Sequence, residues 1–168
     1  MNIELELITN ENVDYDLLHD WCSKEFVYEW FEQRILSKEE IYTKYSNKIN
    51  NSNQVLFYIK ADNNLIGLVQ YYKSDYEVKE FNNLYEYDLF IGEEFYLDKG
   101  LGKIVISMVN NILFDEKHAD GIILRPFTRN VRACKCYEKC GFELINEYDG
   151  VDTLNRPEKY SVYLIRML

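Results

Sequence analysis

The chain has 168 residues, 47% of them hydrophobic, so it can bury a substantial core, and we expect a single domain over residues 1–168. Its formal charge of −10 argues against nucleic acid as a partner, because binding to phosphates depends on lysine and arginine. No apolar run approaches the roughly 20 residues that span a bilayer, and residues 1–6 alternate like a strand rather than a signal peptide, so we expect no membrane partner and a cytoplasmic location.

The first third of the chain predicts one strand followed by two helices. Residues 3–8 alternate between apolar and polar side chains, as in a half-buried strand. Asn12 is placed to cap a helix that runs to about Cys22. Ser37 and Glu40 have the spacing of a capping box at the start of a second helix. The apolar side chains of that helix are Ile41, Tyr45 and Ile49.

Three strands are predicted next. Residues 55–60 and 65–72 are apolar and rich in aromatic and β-branched side chains, and the polar residues 62–64 between them are typical of a short hairpin turn. Residues 85–91 have the same composition and form the following strand.

A glycine-containing turn at residues 97–103 opens the next predicted helix. Gly100 and Gly102 remove side chains where a backbone would approach an anion, and the first N–H groups of a helix lack intrahelical partners. The turn therefore indicates either a site for a diphosphate or only a tight turn. The helix runs to about residue 115, with apolar side chains at helical spacing: Leu101, Ile104, Val105, Met108, Val109, Ile112 and Leu113.

The last third predicts a strand, a helix and two more strands. Residues 121–124 are short and apolar, which is typical of a buried strand, and residues 142–145 and 160–165 complete the sheet. A helix follows Asn130 and ends at Gly141. One face of this helix carries Ala133, Cys136, Tyr137 and Cys140. The order of elements indicates an α/β fold with a mixed sheet and helices on both faces, rather than an all-parallel sheet.

The four cysteines indicate reduced thiols rather than a disulfide framework. Cys134, Cys136 and Cys140 share one predicted helix, their spacing is not typical of a zinc site, and the chain has only two histidines. We therefore expect no metal site. We interpret Cys136 and Cys140 as small core residues rather than nucleophiles.

Two motifs about thirty residues apart make the chain resemble a known family. The first is the turn Lys99-Gly100-Leu101-Gly102, and the second is residues 130–142, which match the pattern N-x-R-A-x-x-x-Y-x-K-x-G-F. Together they resemble the acyl-coenzyme A site of the GCN5-related N-acetyltransferase (GNAT) superfamily. The resemblance implies a central, mostly antiparallel sheet flanked by helices on both faces, with acetyl-CoA as the cofactor. The cofactor contacts that it implies are Phe90, Ile91, Lys99, Gly100, Leu101, Gly102, Lys103, Asn130, Ala133 and Tyr137.

Within that superfamily the chain resembles the aminoglycoside 6′-N-acetyltransferases. The similarity is carried by residues 27–31, 66–72 and 87–92. It implies an enzyme that acetylates the 6′-amine of an aminoglycoside antibiotic and so confers resistance. Arg125 precedes Pro126 where those enzymes usually have Asp-Pro, so the identity of the amine stays open. A siderophore precursor or a protein amine is the alternative substrate, and a non-catalytic acyl-CoA-binding module is the alternative of another class. The oligomeric state, monomer or homodimer, also stays open.

The resemblance also implies the chemical roles. Asp88 matches the acid that serves those enzymes as general base or amine anchor, directly or through water, although an acid on a tyrosine-rich strand is also compatible with simple solvation. Tyr137 is the candidate acid for the departing thiolate, or else a core aromatic. Asn130 caps a helix in either case. A backbone N–H near residues 89–90 would polarise the thioester carbonyl.

The expected substrate contacts are Glu29, Trp30, Tyr72, Glu86 and Asp88. The aromatic run of Tyr28, Trp30 and Phe31 either walls a substrate cleft or closes the core, and Glu29 is placed to meet a cation.

Overall fold

The computed structural model describes residues 1–167. Within that range the strands are β1 (Ile3–Leu7), β2 (Gln54–Ala61), β3 (Asn64–Lys73), β4 (Leu84–Ile91), β5 (Gly121–Leu124), β6 (Glu143–Val151) and β7 (Pro157–Arg166). The helices are α1 (Tyr15–Cys22), α2 (Glu25–Tyr28), α3 (Lys38–Ile49), α4 (Leu101–Asn111) and α5 (Val131–Lys139). A 3₁₀ turn covers Glu94–Tyr96 and a π-helical turn covers Ile112–Glu116.

The strands follow the order β1-β2-β3-β4-β5-β7-β6 in one sheet. The β4–β5 pair is parallel, whereas the β1–β2, β5–β7 and β6–β7 pairs are antiparallel. This mixed sheet with its connecting helices confirms the predicted α/β class.

The chain divides into two compact units. Unit 1 contains residues 1–71 and 88–99, and unit 2 contains residues 72–87 and those from 100 onward. The single domain expected from the length stays a prediction. No helix within residues 1–167 is long and apolar enough to cross a membrane.

Local hydrogen bonds explain where the helices of unit 1 begin. Ser37 and Glu40 form the predicted capping box at α3. The predicted cap of α1 was wrong, because Asp14 caps the helix by accepting from Leu17 N at 3.0 Å. Asn12 instead accepts from Thr9 N at 2.7 Å and so closes the preceding turn. The aromatic segment after α1 also includes a one-turn helix, α2, that the sequence analysis did not predict.

The β2–β3 hairpin forms as predicted. Asp62 and Asn63 have φ values of 48° and 72°, and aspartate and asparagine tolerate this left-handed region better than most residues. Two such residues in succession give the tight turn that matches the twist of the flanking strands.

Trp21 anchors the core of unit 1 and is fully buried. Its ring contacts Tyr58 and Phe90 edge-on, with centroids 6.3 and 6.1 Å apart. Its indole Nε1 donates to Glu93 Oε1 at 2.8 Å, so the polar atom of the buried ring is satisfied. Phe90 is therefore fixed at the end of β4. Asp88 lies on the same face of that strand, because side chains alternate with a period of two.

Unit 2 contains the glycine turn and the last helix. Gly100 adopts the left-handed conformation, with φ 74°, and precedes α4; the α-helix ends at Asn111 and continues as the π-helical turn. Asn130 caps α5 by accepting from Ala133 N at 3.3 Å, and Gly141, with φ 94°, follows its end. Strand β6 is longer than the predicted residues 142–145 and continues to Val151. Its side chains are mostly exposed and give no alternating pattern, so the sequence did not indicate the extension.

Gly67 of β3 provides a test of this packing. A methyl group at residue 67 would overlap the carbonyl oxygen of Phe90 and lie 3.0 Å from the Cα of Ile91. We expect Gly67→Ala to lower the free energy of unfolding by about 1–3 kcal/mol, because the backbone must move. In the control Gly150→Ala the methyl group would meet only side-chain atoms, the nearest being Tyr160 Cε2 at 3.1 Å. Urea denaturation that finds equal losses for the two variants would contradict this account.

Candidate active site

A cavity in unit 1 opens beside the end of β4. It has about 380 Å³ of empty space, part of which is open to solvent. Its walls combine aromatic and aliphatic side chains with a few polar groups, which is the composition of small-molecule sites. The lining residues are Cys22, Val27, Tyr28, Phe31, Glu32, Lys44, Tyr45, Leu68, Gln70, Asp88 and Phe90.

Two side-chain connections organise the polar part of the cavity. Gln70 of β3 donates from Nε2 to Asp88 Oδ2 at 3.1 Å, and Lys48 of α3 donates from Nζ to Gln70 Oε1 at 2.8 Å. Lys44, one turn earlier in α3, forms an ion pair with Glu32. The cavity therefore contains carboxylates whose charges are balanced by nearby ammonium groups.

The protonation states follow from burial. Burial raises the pKa of the Cys22 thiol, and it raises the pKa of Tyr45 well above its ordinary value, so both groups are neutral at pH 7. Burial, followed by the charge of Lys44, lowers the pKa of Lys48 to about 8. At neutral pH the Lys48 ammonium is therefore still mostly charged, close to the point at which it loses its proton.

The cavity includes part of the predicted substrate set. Asp88 lines it, as do Tyr28 and Phe31 from the aromatic run. Glu29 instead caps the end of α2, directly after Tyr28, and its carbonyl accepts from the side chain of Gln33 at 3.3 Å. Trp30 continues this turn, with its backbone N–H donating to the Val27 carbonyl.

Sequence reasoning missed Glu32, Lys44 and Lys48. The two lysines are four residues apart in α3, on a helix with many exposed charges, and they were not distinguished from solvated residues. One signal was present, because Lys48 lies three residues after the buried Tyr45 and shares its side of the helix, and Lys44 lies four residues before Lys48. Gln70 lay within the segment that carried the family resemblance, but no role was attached to it.

Glu86, another predicted substrate contact, belongs to unit 2 and is buried. Arg125 holds its carboxylate in a bidentate pair, with both N–O distances 2.9 Å, and also binds Asp75 at 2.6 Å. Burial acts to lower the pKa of Arg125, but the hydrogen bond and charge of Glu86 outweigh it and the pKa is raised. Arg125, the residue at which the chain departs from the family pattern, therefore neutralises Glu86, which was predicted to contact the substrate. Tyr72 lies half-buried in β3.

The start of α4 fits a phosphate group. A side chain at Gly100 would meet nothing within 4 Å, and one at Gly102 would meet only Cys136 Sγ at 3.7 Å, so the approach to the backbone is open. The N-cap residue Gly100 has no side chain to cap the helix and no acid occupies the first turn, so neither competes with a bound anion for the terminal N–H groups. In unit 1, the Lys99 ammonium lies 3.7 Å from the centre of the Phe95 ring.

Helix α5 carries Tyr137 half-buried, with its ring 6.0 Å from that of Phe142 and 6.1 Å from that of Tyr163. Burial, together with Cys136, raises the pKa of Cys140 to about 11, so Cys140 is a thiol at neutral pH. No cluster of three or more histidine, cysteine or acidic side chains in the described part of the chain is arranged to hold a metal ion.

Comparisons with known proteins identify the family. Residues 10–150 match the family model described as an acetyltransferase (GNAT) domain. A curated aminoglycoside N(6′)-acetyltransferase type 1 from Klebsiella pneumoniae is 25% identical over 174 aligned positions, covering 98% of this chain and 83% of the relative. The solved structure of aminoglycoside acetyltransferase AAC(6′)-Ib with coenzyme A and kanamycin is 23% identical, has a TM-score of 0.76, and aligns over 96% of this chain and 94% of its own. Spermidine N-acetyltransferase from Vibrio cholerae, solved with CoA and spermine, is 22% identical with a TM-score of 0.80, covering 98% and 95%.

Arg125 provides a test of the buried ion pair. We expect Arg125→Met to lower the free energy of unfolding by about 3 kcal/mol, because it removes the cation from a buried carboxylate. In the control Arg34→Met, the lost pair with Glu40 has side chains that are 47% and 43% exposed, so water screens it and the loss of stability should be much smaller. Similar losses in the two variants, measured by urea denaturation, would show that Glu86 does not depend on Arg125.

Proposed function

The chain belongs to the GCN5-related N-acetyltransferases, and from that premise we propose that it transfers the acetyl group of acetyl-CoA to a primary amine of a cationic small molecule. The 6′-amine of an aminoglycoside is the first candidate. The observation that carries the proposal is the Asp88 carboxylate in an aromatic-walled cavity, supported by a hydrogen bond from Gln70. Aromatic faces and a carboxylate together suit an alkylammonium group.

The aminoglycoside substrate is supported by similarity to an aminoglycoside acetyltransferase along 98% of the chain. The pairing of Glu32 with Lys44 and of Glu86 with Arg125 favours a second candidate. Because these carboxylates are already compensated, a linear polyamine with one ammonium in the cavity needs fewer free acids than a compact polycation. The siderophore precursor, the protein amine and the non-catalytic acyl-CoA-binding module remain as alternatives that the experiments below separate.

In the proposed mechanism Asp88 accepts the proton that an ammonium must lose before it becomes a nucleophile, directly or through one water molecule. Acetyl-CoA, when bound, supplies the activated acetyl group. Backbone N–H groups near residues 89–90 polarise its carbonyl. The Tyr137 hydroxyl is the proposed proton donor to the departing thiolate.

We propose that the main chain at the start of α4 holds the diphosphate of the cofactor. The open approach to Gly100 and Gly102 supports this assignment, because a diphosphate needs close contact with backbone N–H groups. The full proposed set is Phe90, Ile91, Lys99, Gly100, Leu101, Gly102, Lys103, Asn130, Ala133 and Tyr137. The proposed substrate set is Glu29, Trp30, Tyr72, Glu86 and Asp88, to which the cavity adds Tyr28, Phe31 and Glu32. We further propose a cytoplasmic monomer or homodimer that acts without nucleic acid, membrane or metal.

The substrate class is tested by thiol release from acetyl-CoA across a panel of amines: kanamycin, spermidine, a lysine peptide and a hydroxamate precursor. We expect turnover with kanamycin, and mass spectrometry of the product should locate the acetyl group at the 6′-nitrogen. Turnover with the peptide or the hydroxamate precursor alone would overturn the cationic small-molecule substrate. Tight CoA binding without turnover on any amine would favour the non-catalytic module.

Asp88→Asn tests the proposed base. We expect a loss of kcat of about 100-fold or more, because an amide cannot accept the proton, whereas the affinity for CoA measured by calorimetry should not change. Asp16→Asn, a change of an exposed acid on α1, is the matched control and should leave kcat unchanged. A wild-type rate in Asp88→Asn would remove Asp88 as the base.

Gly102→Ala tests the proposed diphosphate site through two effects of opposite sign. We expect the free energy of unfolding to rise by about 0.5–1 kcal/mol, because alanine favours the helix and its methyl group has room beside Cys136. We expect the affinity for CoA to fall severalfold, because that methyl group obstructs the approach of a diphosphate. Unchanged affinity in calorimetry, together with the gain in stability, would place the cofactor elsewhere.

A further inference from the structure

A half-buried lysine reaches the proposed base through a side-chain amide. Lys48 Nζ lies 2.8 Å from Gln70 Oε1, and Gln70 Nε2 lies 3.1 Å from Asp88 Oδ2. Lys48 belongs to the last turn of α3, Gln70 to β3 and Asp88 to β4, so the path joins three elements of unit 1.

The two charged neighbours determine the orientation of the Gln70 amide. An ammonium can only donate, so it selects the carbonyl end of the amide, and a carboxylate can only accept, so it selects the NH₂ end. Rotating the amide by half a turn would place donor against donor and acceptor against acceptor. Lys48 therefore ensures that Gln70 presents a donor to Asp88, and this bond restricts the rotation of the carboxylate.

Lys48 lies among titratable groups from several elements. Lys44 is on its own helix, Glu32 follows α2, Cys22 ends α1 and Asp88 is on β4. The charge of Lys44 disfavours the ammonium and the carboxylates of Asp88 and Glu32 favour it, whereas the Cys22 thiol is neutral at neutral pH. Lys44 forms an ion pair with Glu32. Lys48, in contrast, is linked to Asp88 by two hydrogen bonds through Gln70.

Stability does not explain a lysine at this position. Removing an ammonium from water costs free energy, and an apolar side chain of similar length, such as methionine, would fill the same space without that cost. An ammonium at this position therefore has an effect that methionine would lack, which is the orientation of Gln70.

We infer that Lys48 is a positioning residue for acetyl transfer, which acts through Gln70 to hold the Asp88 carboxylate in the orientation that accepts the substrate proton. The inference rests on the proposed role of Asp88. Lys48 contacts Gln70 rather than the reacting atoms, so its proposed role depends on the hydrogen-bonded path to Asp88.

A consequence for pH dependence follows from the environment of Lys48. Its pKa of about 8 means that the ammonium loses its proton just above neutral pH. The neutral amine donates more weakly and gains a lone pair, so Lys48 no longer opposes rotation of the Gln70 amide and only Asp88 still favours the present orientation. The positioning effect is therefore nearly complete at pH 7 and below, about half lost near pH 8 and mostly lost at pH 9.

The first test does not depend on activity. Carbon-13 NMR of the Lys48 Cε should give a pKa of about 8 in the wild-type protein. In Asp88→Asn this pKa should fall further, because the carboxylate that favours the ammonium is gone. Asp16→Asn, at an exposed acid that pairs with Lys38, should leave it unchanged. An unchanged Lys48 pKa in Asp88→Asn would overturn the inference whether or not an amine substrate has been found.

The second test is kinetic. Lys48→Met should lower kcat by about tenfold with little change in the KM of the amine, because misorientation of the base affects the reaction rather than binding. Lys38→Met, at an exposed lysine of the same helix, is the matched control. The ratio of wild-type to Lys48→Met kcat should fall as the pH rises from 7 to 9. The ratio of Lys48→Arg to wild-type kcat should rise over the same interval, because arginine stays charged. Ratios that do not vary with pH would indicate a merely structural role.

A double-mutant cycle separates this inference from the proposed function. If Lys48 acts through the path, Lys48→Met should have no further effect on kcat in the Gln70→Met background. Full additivity would overturn the inference. If Asp88→Asn retains the wild-type rate, the proposed base fails and the positioning role fails with it. If Asp88→Asn loses activity while Lys48→Met keeps the wild-type rate at every pH, only the positioning role fails.

Discussion

The hydrogen bond from Gln70 to Asp88 joins the two strands that carry the candidate active site, and the packing of unit 1 makes this bond possible. Phe90, two residues after Asp88, is held by the edge of Trp21, whose indole is in turn held by Glu93. A carboxylate at the end of such a strand has little freedom to move with its backbone. The carboxylate can still rotate about its side-chain bonds, and a hydrogen bond from an oriented amide restricts that rotation.

The net charge of the whole chain does not indicate the net charge of the cavity. Although the formal charge is −10, Glu32 is compensated by Lys44, and in unit 2 the buried Glu86 is compensated by Arg125. Such pairs contribute little long-range field, because each looks nearly neutral beyond a Debye length. In the proposed function, selection of an amine would therefore depend on the position of individual carboxylates and aromatic faces rather than on the overall acidity of the protein.

Local features of the fold could be predicted from the sequence, and features set by tertiary packing could not. The capping box at Ser37 and the hairpin turn at residues 62–63 depend on hydrogen bonds and φ values within a few residues, and both predictions are confirmed. The cap of α1 failed because Asn12 and Asp14 are equally good capping residues, and only the structure shows that Asn12 is used by Thr9. Lys48 was missed for a different reason, since a lysine near the end of a polar helix gives no sign of burial until Gln70 and Asp88 are brought against it.

The proposed cofactor site and the proposed amine site depend on different kinds of sequence feature. The proposed recognition of the cofactor by main-chain N–H groups requires glycines and a helix start, which is why a site at Gly100 and Gly102 could be proposed from sequence alone. The proposed recognition of the amine depends on cavity side chains from α1, α2, α3, β3 and β4 of unit 1. Phe90 lines the cavity and also belongs to the proposed cofactor contacts, so a change at Phe90 would affect both parts of the reaction. The other cavity residues, such as Glu32 and Lys44, lie outside the proposed cofactor set, and substitutions there would change the choice of amine rather than the contacts with acetyl-CoA.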